Sequence, residues 1–574
     1  MASGSPGVFV FERDSSRNIS ASGATSGGFV GSFNWGEIDI DLFISDENEL
    51  VQYLGKPNNV NYVDWFSAQN FLQYTGSLRV RRITSSAAKN ASSGATGVLI
   101  KNKTMFDMQE STLTEHFYAR YAGDLGNSIA VSFADKDTFD TWKYKSVFDT
   151  PPGSSHYSET YLQDANDEMH VVVVDKYGKI TGVPGDILET YAYVSKARDG
   201  KDINNQISYY KTVINRKSNY IYVGNPISGV LVNDIADTHS AFGDTYIDKV
   251  KPFTSLKEAT EIVLKDGNNG GLADKSAYVD GYSKMCMVDD NSVNVIFAGN
   301  CGGDENYLEV VNAIGQYCKK SQKRVGFCSP KMSDIVGISD ENTIRKNIIN
   351  TWESIVEKHS YMSMATGIKM IYDKYNDVYR WIPTNSDEAG IWVKTHNNEG
   401  KWVSAAGYSK GVYTNALALA YNPDEQDRNQ LYSLGINCVI QEKGAGILLL
   451  GDKTLQGKNS TFSFLGTRFL FIELRNIIAE ASKYVLFEFN DDFTRSQFKD
   501  LVIPTLRDIK GKRGLHNFTV ICDETNNTPK VIQDGEFVGD IYIKPNYSIQ
   551  QVMLTFTAVN RTLSFEEVIL SNKG

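Results

Sequence analysis

The string with the strongest claim to catalysis is Gly407-Tyr408-Ser409-Lys410-Gly411, a literal G-x-S-x-G. In hydrolases its two glycines permit a strained strand-to-helix turn that lifts the serine toward a histidine base. Here Val412-Tyr413-Thr414-Asn415 follows, poor material for starting a helix, and the downstream histidine, His516, sits in a short glycine-bounded turn. A serine hydrolase using Ser409 is thus the alternative to a plain glycine-rich loop. Gly299-Asn300-Cys301-Gly302-Gly303 stands between an apolar run and a helical pattern, where amide groups could cradle an anion. It lacks the Gly-Lys-Ser/Thr of a P-loop and the G-x-G-x-x-G of a dinucleotide fold, and Asp304 at the cap position would repel phosphate. Asp135, Asp137 and Asp140 begin like a calcium loop, but Asp140 and Ser146 occupy the positions that need glycine and glutamate. The 6 cysteines form no C-x-x-C pair, and the 7 histidines form no H-E-x-x-H grouping. No catalytic residue, cofactor or metal site is expected. The cysteines read as buried thiols in a reducing compartment.

The elements around these strings are those of a large soluble chain. At 574 residues, with 41% hydrophobic and 22% charged residues, it has material for three or four domains. A net charge of -11 argues against nucleic acid and against anionic membranes as partners. No apolar run is long enough to span a bilayer, and the first residues lack a secretory pattern, so a cytoplasmic origin is expected. Val8, Phe9, Val10 and Phe11 read as a strand apolar on both faces, which must pair with a sheet in this subunit or a neighbour. A Gly/Ser-rich stretch at 20–28 and a short strand at 29–33 follow. The spacing of Trp65, Ala68 and Leu72 predicts a helix over 62–74, and 78–83 reads as a strand. From 98 to 280 loops are long and polar and strands short, with a strand at 171–174. A β-α-β unit is predicted over 293–328: Asp304 caps a helix striped by Tyr307, Val311, Ile314 and Cys318. Strands are expected at 437–441 and 446–450. A long helix is expected on the stripe Phe471, Leu474, Ile478, Ala481 and Val485. Thr494 with Gln497 reads as a capping box for a helix on Phe498, Val502, Leu506 and Ile509, kinked at Pro504 and ended by Gly511. The tail reads as β, with strands on Phe518/Val520/Cys522, Ile541/Ile543 and Val552/Leu554/Phe556/Ala558, and the chain shows no internal repeat.

Several uncommon strings then resemble the contractile-tail sheath proteins of T4-like bacteriophages. They are Ser5-Pro6-Gly7-Val8, Leu54-Gly55-Lys56-Pro57, residues 71–82, residues 119–128, residues 487–495, residues 522–529 and residues 540–545. They occur in order over about 1–130 and 290–574, whereas 130–280 has no such match. The resemblance implies a non-enzymatic structural subunit. It would polymerise as hexameric rings stacked helically around a tail tube, in an extended metastable state, and contract to drive the tube through the host envelope. It also implies baseplate and tail terminator proteins as partners, no direct contact with nucleic acid or membrane, and a place in the virion tail after assembly in the host cytoplasm. The sheath of a related phage-tail-like injection particle is the alternative.

The implied fold is multidomain, α/β and α+β, with nested discontinuous domains. Residues 1–22 plus 490–574 form an inner core domain with terminal arms. Residues 23–90 plus 282–489 form a middle α/β domain. Residues 91–281 form an inserted, outward-facing, loop-rich and mostly β region. Val8, Phe9, Val10 and Phe11 become an arm strand lent to a neighbour. Lys499, Arg507, Lys510, Lys512 and Arg513 are candidates for tube or neighbour contact.

Overall fold

The computed structural model describes residues 24–550, apart from 95–96, 234–237, 288–291 and 459. The chain divides into two compact units at Tyr484 and Val485. In the first, eight strands make one sheet in the order Gly446–Leu450, Ile436–Glu442, Met362–Ala365, Val325–Cys328, Val293–Phe297, Ser26–Ser32, Leu78–Ile83, Asp41–Ile44. The six inner strands run parallel and the two edge strands antiparallel. Parallel neighbours need crossovers, and helices on both faces supply them, so the inner strands are buried, and Val293–Phe297 and Val325–Cys328 read as mostly apolar runs. Lys275–Met287, Asp304–Ser321 and Glu341–Ser354 cover one face, around Val311, Ile314, Ile344 and Ile348. Tyr62–Leu72, Asn385–Asn398 and Leu465–Lys483 cover the other, around Trp65, Phe71, Trp392 and Phe469.

The strand Leu78–Ile83, LRVRRI, is buried at every position despite three arginines. Arg81 Nε donates to Asp41 at 2.7 Å, and Arg79 lies 4.6 Å over the Phe43 ring. Arg82 is fully buried and donates to three carbonyls, Phe33 at 2.9 Å, Gly36 at 2.5 Å and Ala122 at 2.7 Å. It thereby joins the sheet to the region inserted between its third and fourth strands in chain order. That region holds an antiparallel sheet in the order Thr260–Val263, Ile129–Asp135, Glu168–Asp175, Asp186–Ser195, and a three-stranded one of Asn90–Ser92, Phe117–Ala122 and Ile221–Val223. Trp35 packs into its core against Tyr121.

The β-α-β unit stands as read, with Val293–Phe297 and Val325–Cys328 parallel around Asp304–Ser321, whose stripe Tyr307, Val311, Ile314 and Cys318 is buried. Its cap differs: Gly303, at φ 122°, holds the cap position, and Asp304 is the first helical residue, accepting from Ser333 N–H at 3.1 Å. Leu465–Lys483 starts earlier than its expected stripe and buries Leu474 and Ala481 as read; Phe471 and Ile478 are only half-buried, Phe469, Leu470, Ile472 and Ile477 are buried as well, with Phe469 packed against Phe327 and Trp392, and Val485 falls beyond its end. The strand expected at 29–33 runs Ser26–Ser32.

The second unit pairs the helix Asp492–Gly511 with an antiparallel ribbon, Leu515–Ile521 against Asp540–Pro545. Phe498, Val502, Leu506 and Ile509 are buried, as their spacing predicts. The expected capping box is absent: Asp491, one turn earlier, caps the helix by accepting from Thr494 N–H at 2.9 Å. Gly511 is the last helical residue rather than the stop, and the turn is made by Arg513 at φ 66°. A short helix, Pro529–Gln533, separates the first two strands of the tail that the sequence reads as β, and the third, at 552–558, lies outside the described residues.

Candidate functional site

The basic candidates of the second unit gather at one helix end. Arg507, Lys510, Lys512 and Arg513 are exposed at the C-terminal end of Asp492–Gly511, and Lys499 is half-buried nearer its middle. The negative end of the helix dipole favours this placement. Lys510 Nζ donates to Asn517 Oδ1 at 3.1 Å, and Lys512 pairs with Asp508 at 2.8 Å. The turn is fixed by Gly514 N–H donating to Ile509 O at 2.9 Å and by Asn546 Nδ2 donating to Arg513 O at 2.8 Å. The structure therefore places four of the five cations, exposed, at one end of the helix. Val8, Phe9, Val10 and Phe11 lie outside the described residues.

The catalytic string takes a different shape from a nucleophile elbow. Ser409 is exposed in a turn, and Glu425–Ser433 is the next helix. Gly407 N–H donates to Leu449 O, and Leu449 N–H to Gly411 O, each at 2.9 Å. The string thus lies along the edge strand Gly446–Leu450 and covers part of the sheet edge, a structural use for its two glycines. Residues 299–303 form a turn in which Gly299 N–H donates to Asn385 Oδ1 at 3.1 Å. Asp135 is spent inside the inserted region, pairing with Lys196 at 2.9 Å and accepting from Leu256 N–H at 2.8 Å. Among the described residues no group of three or more His, Cys, Asp or Glu is placed to hold a metal ion. The six cysteines are free and buried.

Sequence reasoning missed the most polar part of the core. The helix Asn385–Asn398 buries Asn385, Ser386, Asp387, Glu388, Thr395 and His396. Lys369 Nζ pairs with Asp387 at 2.8 Å, both side chains wholly buried, and Tyr74 donates to the same carboxylate at 2.8 Å. Burial raises the Asp387 carboxyl and lowers the Lys369 ammonium, each opposed by the attraction of the pair. Burial pushes Glu388 up to about 8, against the hydrogen bond from Ser363 Oγ, whose hydroxyl in turn accepts from Asn437 Nδ2 at 3.0 Å. Asp64 rises to about 6 for the same reason, although Ser32 N–H and Tyr278 Oη donate to it at 2.8 and 2.5 Å. These groups are sealed from solvent, so they act on stability. Also missed is an exposed apolar run, Leu486, Phe487, Phe489 and Phe493, in the second unit. Its signal was present as bulky residues beyond the last position of a helical stripe.

The family profile described as the phage tail sheath protein central domain matches residues 273–455, and that of the phage tail sheath C-terminal domain matches 457–558. The tail sheath protein of Salmonella phage ViI is 30% identical, over 98% of this chain and 97% of the relative. That of Vibrio phage KVP40 is 27% identical over 98% and 99%. The tail sheath protein of Enterobacteria phage T4 is 35% identical over 48% of this chain and 43% of its own length. Among solved structures, the sheath tail protein of Listeria innocua superposes with a TM-score of 0.54 at 10% identity, covering 91% of this chain and 95% of that one.

Proposed function

As a member of the phage tail sheath protein family, the chain is a structural subunit of a contractile tail sheath, and we propose how its parts serve that task. The subunit polymerises with copies of itself in stacked hexameric rings around a tail tube, bounded by baseplate and terminator proteins. It is assembled in the host cytoplasm and ends in the virion tail. Its work is mechanical: the energy released on contraction comes from exchanging one set of subunit contacts for another, as in other rigid-body switches. No bond is made or broken in this reading, and Ser409 stands in the exposed turn between Gly407 and Gly411, which bond the sheet edge. The observation that carries the proposal is the likeness to the ViI tail sheath protein over nearly the whole of both chains. Relatives from phages favour a virion tail over a related injection particle.

Within the subunit we assign 1–22 plus 490–574 to an inner domain, 23–90 plus 282–489 to a middle domain and 91–281 to an outward one. A ribbon of two strands is marginal on its own and gains from added strands. The ribbon Leu515–Ile521 with Asp540–Pro545 supports a reading in which Val8, Phe9, Val10 and Phe11 of a neighbour extend it by β-augmentation. Lys499, Arg507, Lys510, Lys512 and Arg513 serve tube or neighbour contact. Deleting residues 1–14 should leave folded subunits that form no continuous sheath. Negative-stain microscopy of the purified protein checks this; tubes of uniform width from the deleted chain would refute the arm.

A further inference from the structure

Four large apolar side chains within eight residues of the second unit face solvent: Leu486 at 65%, Phe487 at 105%, Phe489 at 85% and Phe493 at 68% exposure. Phe487 holds φ at 69°, in a region that non-glycine residues seldom occupy. Glu488 N–H donates to Val485 O at 3.2 Å, and Asp491 N–H to Phe489 O at 2.9 Å, so local hydrogen bonds fix this run. Phe493 stands in the first turn of Asp492–Gly511, off the buried stripe of Phe498, Val502, Leu506 and Ile509. At roughly 200 Å² for a large side chain the four present about 650 Å². A standard interface covers about 800 Å² on each partner, and monomers rarely leave apolar patches beyond a few hundred. Exposed Glu488, Asp491 and Asp492 give this patch an acidic border.

The other end of the same helix carries the complement. Lys510, Lys512 and Arg513 are exposed there. Asn546, bonded to Arg513 O at 2.8 Å, leads directly to Tyr547 and Ile549, exposed at 56% and 84%. One end is aromatic with an acidic border, the other apolar with a basic border. An antiparallel pair about a two-fold axis would match both ends in a closed dimer, whereas joining each end to a different copy, head to tail, builds the rings and helices a sheath needs. We propose that the 486–493 segment of one subunit docks on the surface of Lys510, Lys512, Arg513, Tyr547 and Ile549 of a second copy. This rests on the sheath reading, which supplies a copy for every site.

The test uses full-length protein. Phe487→Ser with Phe489→Ser should leave the circular dichroism and Tm of unassembled subunits unchanged and raise the concentration needed for polymerisation at least about tenfold. Phe489→Cys should react with maleimide in subunits and be protected in polymers, against a background of six buried cysteines. Glu488→Lys with Asp492→Lys should impair polymerisation, and Lys510→Glu with Lys512→Glu on the same chain should restore it. A lowered Tm in the serine variant would mean that the patch is covered within its own chain and would overturn the proposal. So would unchanged polymerisation, failure of the charge reversal to restore it, or a variant that polymerises alone yet fails only around the tube. If the unaltered chain forms no polymer under any condition, the sheath reading itself falls.

Discussion

Replacing Glu388 by glutamine gives a stability change whose size follows from the burial of that carboxyl. Glu388 is wholly buried, accepts from Ser363 Oγ at 2.8 Å, and holds its proton to about pH 8 against an ordinary value of 4.5. The unfolded chain loses that proton near 4.5, so between 4.5 and about 8 the unfolded state binds fewer protons than the folded one. Stability therefore falls as pH rises through this window, by ~1.4 kcal/mol for each unit, and levels off above it. Glutamine matches the shape of the neutral acid and does not titrate. The difference between E388Q and the unaltered chain should be near zero at pH 4.5 and grow to roughly 3–5 kcal/mol at pH 8.5 in favour of glutamine. Urea unfolding of unassembled subunits at a series of pH values, followed by tryptophan fluorescence, measures this. Trp392 sits one turn along the same helix and is fully buried, so it reports on the region concerned. Because every other titrating group is common to both chains, the difference isolates Glu388. A difference that stays flat from pH 5 to 9 would show that the carboxyl is ionised in the fold or reached by water.

Arg82→Met removes all donors to the carbonyls of Phe33, Gly36 and Ala122, and should cost roughly 3 kcal/mol or more by thermal unfolding. Arg82→Lys should recover only part, because one ammonium cannot reproduce the planar fork. Lys196→Met leaves the Asp135 carboxylate buried without its cation and should destabilise the inserted region by about 3–5 kcal/mol; adding Asp135→Asn should restore most of that, read by limited proteolysis.

Where the sequence was legible, one local rule and the tertiary context agreed. Tyr307, Val311, Ile314 and Cys318 repeat at helical spacing, and the helix they form buries that stripe on a parallel sheet. Caps were read one residue late at Asp304 and one turn late at Thr494, since Gly303 and Asp491 could fill the role equally well on local chemistry. The helix Asn385–Asn398 left no apolar stripe to find: Asp387 and Glu388 read as surface residues until Lys369, Ser363 and Asn437 arrive from distant strands. The basic turn at 510–513 was visible as composition, but its matching patch at 486–493 was not, because exposure of phenylalanine is a tertiary fact.

The order of strands in the large sheet also bears on how the chain can be made. Gly27 pairs with Leu78, close along the chain, and on its other side with Val295, about 270 residues later. At 5–20 residues per second the ribosome needs roughly 15–55 s to deliver that second partner. Meanwhile the strand Ser26–Ser32 has one neighbour and an open edge, while the whole inserted region, whose sheets pair only among their own strands, emerges and can fold. Closing the sheet therefore falls late in synthesis, and the young chain carries a vacancy suited to a chaperone or to premature pairing with another copy.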